Sequence, residues 1–149
     1  MRKSDATVLL AVAVGSMLFT GCSASSTPIS ELPDGQYTGQ SEPETDGSYG
    51  IVDFTISGGK VADVSFIIKD KDGTPHDENY GLGSDGKPAD VTFYQRAQNA
   101  IEAEKAYMQQ LKETSNQNEV EAIAGASVSY RVFLGAIRDA VQQAQQPES

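Results

Sequence analysis

The sequence predicts an α+β domain: a small antiparallel sheet with a β-hairpin, packed against two principal helices. Three observations predict it. Two runs of alternating apolar residues, 49–56 and 61–68, flank Gly58-Gly59, the pattern of half-buried strands joined by a primed turn. Two later stretches, from about 92 to 112 and from 127 to about 145, carry apolar residues at helical spacing. Strands precede helices along the chain, which segregates the two kinds of element.

The first segment is an expected leader. Arg2 and Lys3 precede an apolar run, Val8 to Phe19, too short to span a bilayer as a permanent helix. Phe19-Thr20-Gly21-Cys22 closes it in the manner of a lipobox, although Phe19 stands where leucine is usual. The expectation is an exported leader over 1–21, with Cys22 as the lipid-modified first residue of the mature chain. The alternative is a plain secretory leader that leaves Cys22 a free thiol. A diacylated cysteine supplies two chains, enough for stable anchoring at the outside of the cell membrane. Residues 22–31, rich in Ser, Thr and Pro, read as a flexible tether. Residues 32–149 suffice for one compact domain.

Composition narrows the chemistry. One Cys and one His leave no disulfide framework and no metal-ligand cluster. Removing Arg2, Lys3 and Asp5 with the leader leaves 9 basic and 20 acidic side chains. A domain this acidic is repelled by nucleic acid.

Gly35 to Gly39 is a short strand led in by the Pro33-Asp34-Gly35 turn. Glu42 to Gly47 reads as a loop. Val52, Phe54 and Ile56 mark one face of the next strand, and Val64, Phe66 and Ile68 one face of its hairpin partner. Lys69 to Pro88 is dense in Asp, Gly and Pro, a long loop of the kind that more often carries function than not. Thr92-Phe93-Tyr94-Gln95 fits a capping box and opens a helix to about Lys112, with Tyr94, Ala97, Ile101, Met108 and Leu111 as its stripe. Phe133, Ala136, Ile137, Ala140, Val141 and Ala144 form the stripe of the last helix.

Between the helices stands Glu121-Ala122-Ile123-Ala124-Gly125-Ala126-Ser127, then Val128-Ser129-Tyr130. A glycine turn sets a hydroxyl at the entrance of a helix, where unpaired N–H groups and the positive dipole end suit phosphate. Ser127 and Ser129 are both possible N-caps. Gly125 and Ala126 are small enough for close approach of a ligand.

The order Asp34-Gly35-x-Tyr37-Thr38-Gly39, hairpin, acidic loop, long helix and this motif resembles the FMN-binding domain family, over essentially the whole mature domain. The family includes flavin subunits of sodium-pumping and related membrane redox complexes, and small exported lipoproteins. Its motif reads Asp-x-x-Ser/Thr-Gly-Ala-Thr, and a flavin transferase links the phosphate of FMN to that threonine as a phosphoester. Here Glu121 replaces Asp, Ala124 replaces the hydroxyl residue before Gly, and Ser127 replaces the acceptor Thr. The resemblance implies FMN as cofactor, with Ser127 as the flavin-bearing residue and Gly125, Ala126, Ser129 and Glu121 around it. Glu121 is either a group used during attachment or a solvated carboxylate. Among Tyr37, Tyr49, Tyr80 and Tyr94, Tyr80 in the long loop beside Gly81 is the candidate to stack on the flavin, while the lone His76 carries no assigned role.

No residue set reads as a nucleophilic or acid–base catalytic group, so the expectation is an electron carrier, not an enzyme with its own substrate. The resemblance implies a flavin transferase as partner, a quinone-linked or NADH-dependent membrane flavoprotein as donor, and extracellular acceptors. The alternative is an exported lipoprotein of the same fold that has lost flavin and serves as a binding or interaction module; the changes at 121, 124 and 127 favour it.

Overall fold

A computed structural model describes residues 27–146. The leader, Cys22 and residues 22–26 of the tether lie outside the described residues, as do 147–149.

Strands β1 (Gly35–Gln40), β2 (Tyr49–Ser57) and β3 (Lys60–Lys69) form an antiparallel sheet in the order β1-β2-β3. Gly58 and Gly59 hold φ of 60° and 72°, the left-handed values a primed hairpin turn needs at both positions. Asp34 Oδ1 accepts from the Gly58 N–H at 2.8 Å and ties this turn to the entry of β1. Thr55 pairs with Asp63 but Ile56 with Val61, so Ala62 is an extra residue in β3. This bulge turns Val61 onto the buried face with Phe66 and Ile68, which strict alternation would not do.

Both helices cover one face of the sheet. Helix α1 (Val91–Thr114) packs on β3, and α2 (Ser127–Gln145) on β1 and β2. Val52, Phe54 and Ile56 of β2 lie at the centre of the core. The other face is polar and open, with the Thr38 hydroxyl donating to Asp53 Oδ1 at 2.6 Å. Helix α2 lies directly on the sheet backbone. A Cβ on Gly39 would stand 2.1 Å from the Ala136 carbonyl oxygen, and one on Gly50 would stand 2.5 Å from Val132 Cγ1.

Several details differ from the sequence-based expectations. The N-cap of α1 is Asp90, not Thr92: Asp90 Oδ1 accepts from the Phe93 N–H at 3.0 Å. Its carboxylate also answers the positive end of the helix dipole, which a threonine hydroxyl does not. The buried stripe of α1 is Ile101, Ala103, Glu104, Tyr107 and Leu111; Tyr94, Ala97 and Met108 are only half-buried at its edge. In α2, Ala144 is exposed because the helix outruns the core beyond Val141.

The start of the fold also moves. Ile29 is fully buried in a 3-10 turn, Ile29–Glu31. Gln117 holds that turn, its Oε1 accepting from the Ile29 N–H at 2.9 Å and its Nε2 donating to the Thr27 carbonyl at 2.8 Å. Residues 29–31, assigned by composition to the tether, thus belong to the domain. The polar sequence conceals one apolar anchor. Among the described residues, no helix is long and apolar enough to cross a membrane.

Candidate functional site

The segment between the helices is pinned from three sides. Tyr107 of α1, fully buried, donates its hydroxyl to the Ala126 carbonyl at 3.1 Å and accepts from the Ile123 N–H at 3.0 Å. Gln110, one turn along, accepts from the Glu121 N–H at 2.7 Å. Tyr130 of α2 donates to the Val120 carbonyl at 2.9 Å. Buried backbone groups must be paired, and these three side chains pair the segment in one position.

The turn itself closes with the Ala126 N–H on the Ile123 carbonyl at 3.1 Å. Gly125 sits third in that turn with φ 84°, the value a type II turn requires there. Nothing stands within 4 Å of where a Gly125 Cβ would point, so the space above the turn is open. Ala126, buried, is the N-cap of α2 and offers no side-chain cap. The N–H groups of the first turn, which have no partner four residues back, are therefore met by no side-chain cap among the described residues.

The two serines separate here. Neither is the N-cap that either might have been. Ser127 opens the helix and is exposed. Ser129 is buried, its hydroxyl donating to Glu104 Oε1 at 2.8 Å. Burial pushes the Glu104 carboxyl up to about 7, with the Ser129 hydrogen bond pulling the other way. Glu121 is exposed, and its carboxylate makes no hydrogen bond or ion pair among the described residues.

Tyr80 is not brought to this segment. Its ring stacks on His76, centroids 3.7 Å apart, and its hydroxyl donates to Asp70 Oδ1 at 3.1 Å. Phe93 at the start of α1 lies against it, centroids 5.7 Å apart. Burial, then the Asp70 charge, pushes the Tyr80 phenol up to about 12. From Phe93 to Glu104, the partner of Ser129, the rise of α1 is roughly 16 Å, so Tyr80 and the first turn of α2 meet that helix at well-separated levels. Tyr37 stacks on Phe54 and donates to the Pro33 carbonyl, and Tyr94 donates to the Glu78 carbonyl.

Glu104, Tyr107, Gln110 and Arg131 escaped the sequence reading. A stripe drawn through 104, 107 and 111 would have found the first two. Arg131 lies on α2 and grips Glu44 of the 41–48 loop with two hydrogen bonds, Nε to Oε1 at 3.0 Å and Nη2 to Oε2 at 2.6 Å. Beside this pair a groove of about 520 Å³ runs between the loop and α2, with Ser41, Gly135 and Arg138 among its walls.

This donor set, an exposed hydroxyl on an uncapped helix N-terminus with open space above a glycine turn, fits a phosphate group. Residues 48–142 match the model of a family described as FMN-binding domain. Among solved structures, the chain is similar to the CPE2226 protein from Clostridium perfringens, at 17% identity and a TM-score of 0.58, over 76% of this chain and 89% of that one. At that identity the likeness is one of fold. No curated protein matches the chain.

Proposed function

The chain belongs to the FMN-binding domain family, with FMN as its cofactor, and we propose that it holds FMN covalently on Ser127 as an exported, lipid-anchored electron carrier. The single observation that carries the covalent reading is the division between the serines. Ser127 is exposed at the uncapped start of α2, while Ser129 is buried with its hydroxyl engaged by Glu104.

Attachment needs an activated phosphate, because FMN itself would have to expel hydroxide. The donor is therefore a phosphoanhydride form of the flavin, the co-substrate of a flavin transferase. Ser127 Oγ attacks the flavin-side phosphorus, the anhydride bond breaks, and the nucleoside monophosphate departs with the bonding pair. The Oγ proton passes to a base of the transferase. The helix N-terminus then offsets part of the phosphodiester charge. Bound FMN supplies one- and two-electron chemistry; the protein supplies placement and electrostatics.

The anchor rests on Cys22 and the leader pattern. Six residues separate Cys22 from buried Ile29, and the seven residue steps span at most about 25 Å when fully extended. A lipid on Cys22 would hold the domain within that distance of the membrane, in reach of a quinone-linked or NADH-dependent membrane flavoprotein as donor. Acceptors would lie outside the cell.

The test is intact mass and in-gel flavin fluorescence of the chain co-expressed with a flavin transferase, beside Ser127→Ala and Ser129→Ala. Covalent flavin in the wild type and in Ser129→Ala, but not in Ser127→Ala, is the expected result. An unmodified wild-type chain would favour the binding-module alternative instead. Metabolic labelling with a fatty acid, lost in Cys22→Ala, tests the anchor separately.

A further inference from the structure

We infer that Arg131 positions the flavin phosphate on Ser127 and that Glu44 aims the Arg131 side chain for this task. The inference rests on the Ser127 attachment proposed above.

Ser127 and Arg131 are four residues apart on α2 and share one face of it. Helical side chains lean toward the N-terminus, so a residue covers the turn that precedes it. For Arg131 that turn begins at Ser127. The guanidinium carries five N–H donors in a planar fork. Glu44 takes two of them, through Nε and Nη2. Both protons of Nη1 and the second proton of Nη2 have no acceptor among the described residues. The fork thus keeps free donors while its direction is set.

Glu44 is a firm support for it. The Glu44 N–H donates to the Ser48 carbonyl and the Gly47 N–H to the Glu44 carbonyl, both at 2.8 Å. Asp46 closes the same loop by accepting from the Ser48 hydroxyl at 2.6 Å. The Glu44 side chain is 20% exposed against 61% for Arg131, so the carboxylate is held against the protein while the guanidinium faces outward. Arg131 and Glu44 together are neutral. A phosphodiester monoanion meeting the outward donors completes a carboxylate–guanidinium–phosphate chain, in which each contact is charge-assisted.

The experiment compares initial rates of covalent modification by intact mass, using full-length chain, a flavin transferase and its flavin donor. Arg131→Gln is expected to slow modification roughly tenfold or more, the effect of losing one charged hydrogen bond to phosphate. Arg131→Lys, which keeps the charge without the fork, recovers part of that loss. Glu44→Gln weakens the loop staple but leaves the cation in place, and slows modification by only about threefold. The phosphodiester ³¹P resonance of modified protein moves in Arg131→Gln and moves by a smaller amount in Glu44→Gln, and a wild-type resonance and rate in Glu44→Gln would overturn the aiming role of Glu44. Equal rates in Arg131→Gln and wild type would overturn the inference. So would Glu44→Gln and Arg131→Gln matching each other in rate and in melting temperature with the ³¹P resonance at its wild-type position in both, which would make Arg131 a staple alone. A wild-type chain that takes no flavin removes the Ser127 reading and this inference with it, whereas a modified wild type with an indifferent Arg131 removes the inference only.

Discussion

Ser129 and Glu104 form a buried pair under the first turn of α2, the serine hydroxyl donating to Glu104 Oε1 at 2.8 Å. The pair joins the two helices directly behind the exposed Ser127, and it places a titratable carboxyl in the core.

That carboxyl predicts an unusual pH dependence. Its ordinary value is 4.5 and burial raises it to about 7 in the folded chain. Between those values the folded state binds more protons than the unfolded state, so this group destabilises the fold progressively as pH rises from 4.5 to about 7, and no further above it. The full span corresponds to roughly 3 kcal/mol. Glu104→Gln keeps an oxygen for Ser129 and loses the charge. It is expected to be more stable than wild type by ~1–3 kcal/mol at pH 8 and equal to it near pH 4. Urea unfolding of both proteins across that range checks the sign.

Tyr107→Phe isolates the pin on the glycine turn. The substitution keeps the ring contacts with Tyr130 and Phe133 but strips partners from the Ala126 carbonyl and the Ile123 N–H. A loss of ~1–3 kcal/mol follows. Hydrogen exchange should show the Ile123 amide losing protection, while Val52 and Phe54 in the central strand change only with global stability. Unchanged exchange at Ile123 would mean that the turn holds itself.

Two glycines should respond to alanine by different amounts and for different reasons. At Gly39 the new methyl would meet the Ala136 carbonyl oxygen at 2.1 Å and the Ala140 nitrogen at 2.6 Å. The backbone of α2 must then lift off β1, at a cost of ~3 kcal/mol or more. At Gly125 nothing stands in the way and only the φ of 84° is strained, for about 1–2 kcal/mol. Thermal melts of both variants rank them. Gly125→Ala outranking Gly39→Ala in damage would contradict the close helix–sheet contact.

Legibility in the sequence followed the range of each interaction. The hairpin was readable because Gly58-Gly59 and its flanking alternation are local. The Ala62 bulge was not, since the register of Val61 is decided by what it packs against across the core. Ser127 was readable as the head of a helix, but its separation from Ser129 depends on Glu104, 25 residues earlier. Glu104 stands in a charged stretch of α1, where its neighbours Glu102 and Lys105 pair in solvent, and nothing local marks it as buried. Tyr80 was singled out for its loop, and its stacking on His76 is a contact that sequence spacing does not reveal. Arg131 and Glu44 are 87 residues apart, and nothing local connects them.

The same lesson gives a final prediction at the start of the domain. Ile29 lies in a stretch of Ser, Thr and Pro whose composition reads as tether, yet it is fully buried and Gln117 binds its N–H at 2.9 Å. Truncating a fully buried isoleucine leaves a cavity in addition to losing its transfer energy. Ile29→Ala is therefore expected to cost ~2–4 kcal/mol in urea unfolding, and Ser30→Ala, one residue on and only half-buried, less than about 0.5 kcal/mol. Gln117→Ala should fall between, because it leaves the Ile29 N–H without its partner. Equal stability of Ile29→Ala and wild type would return residues 29–31 to the tether and lengthen the reach of any anchor on Cys22.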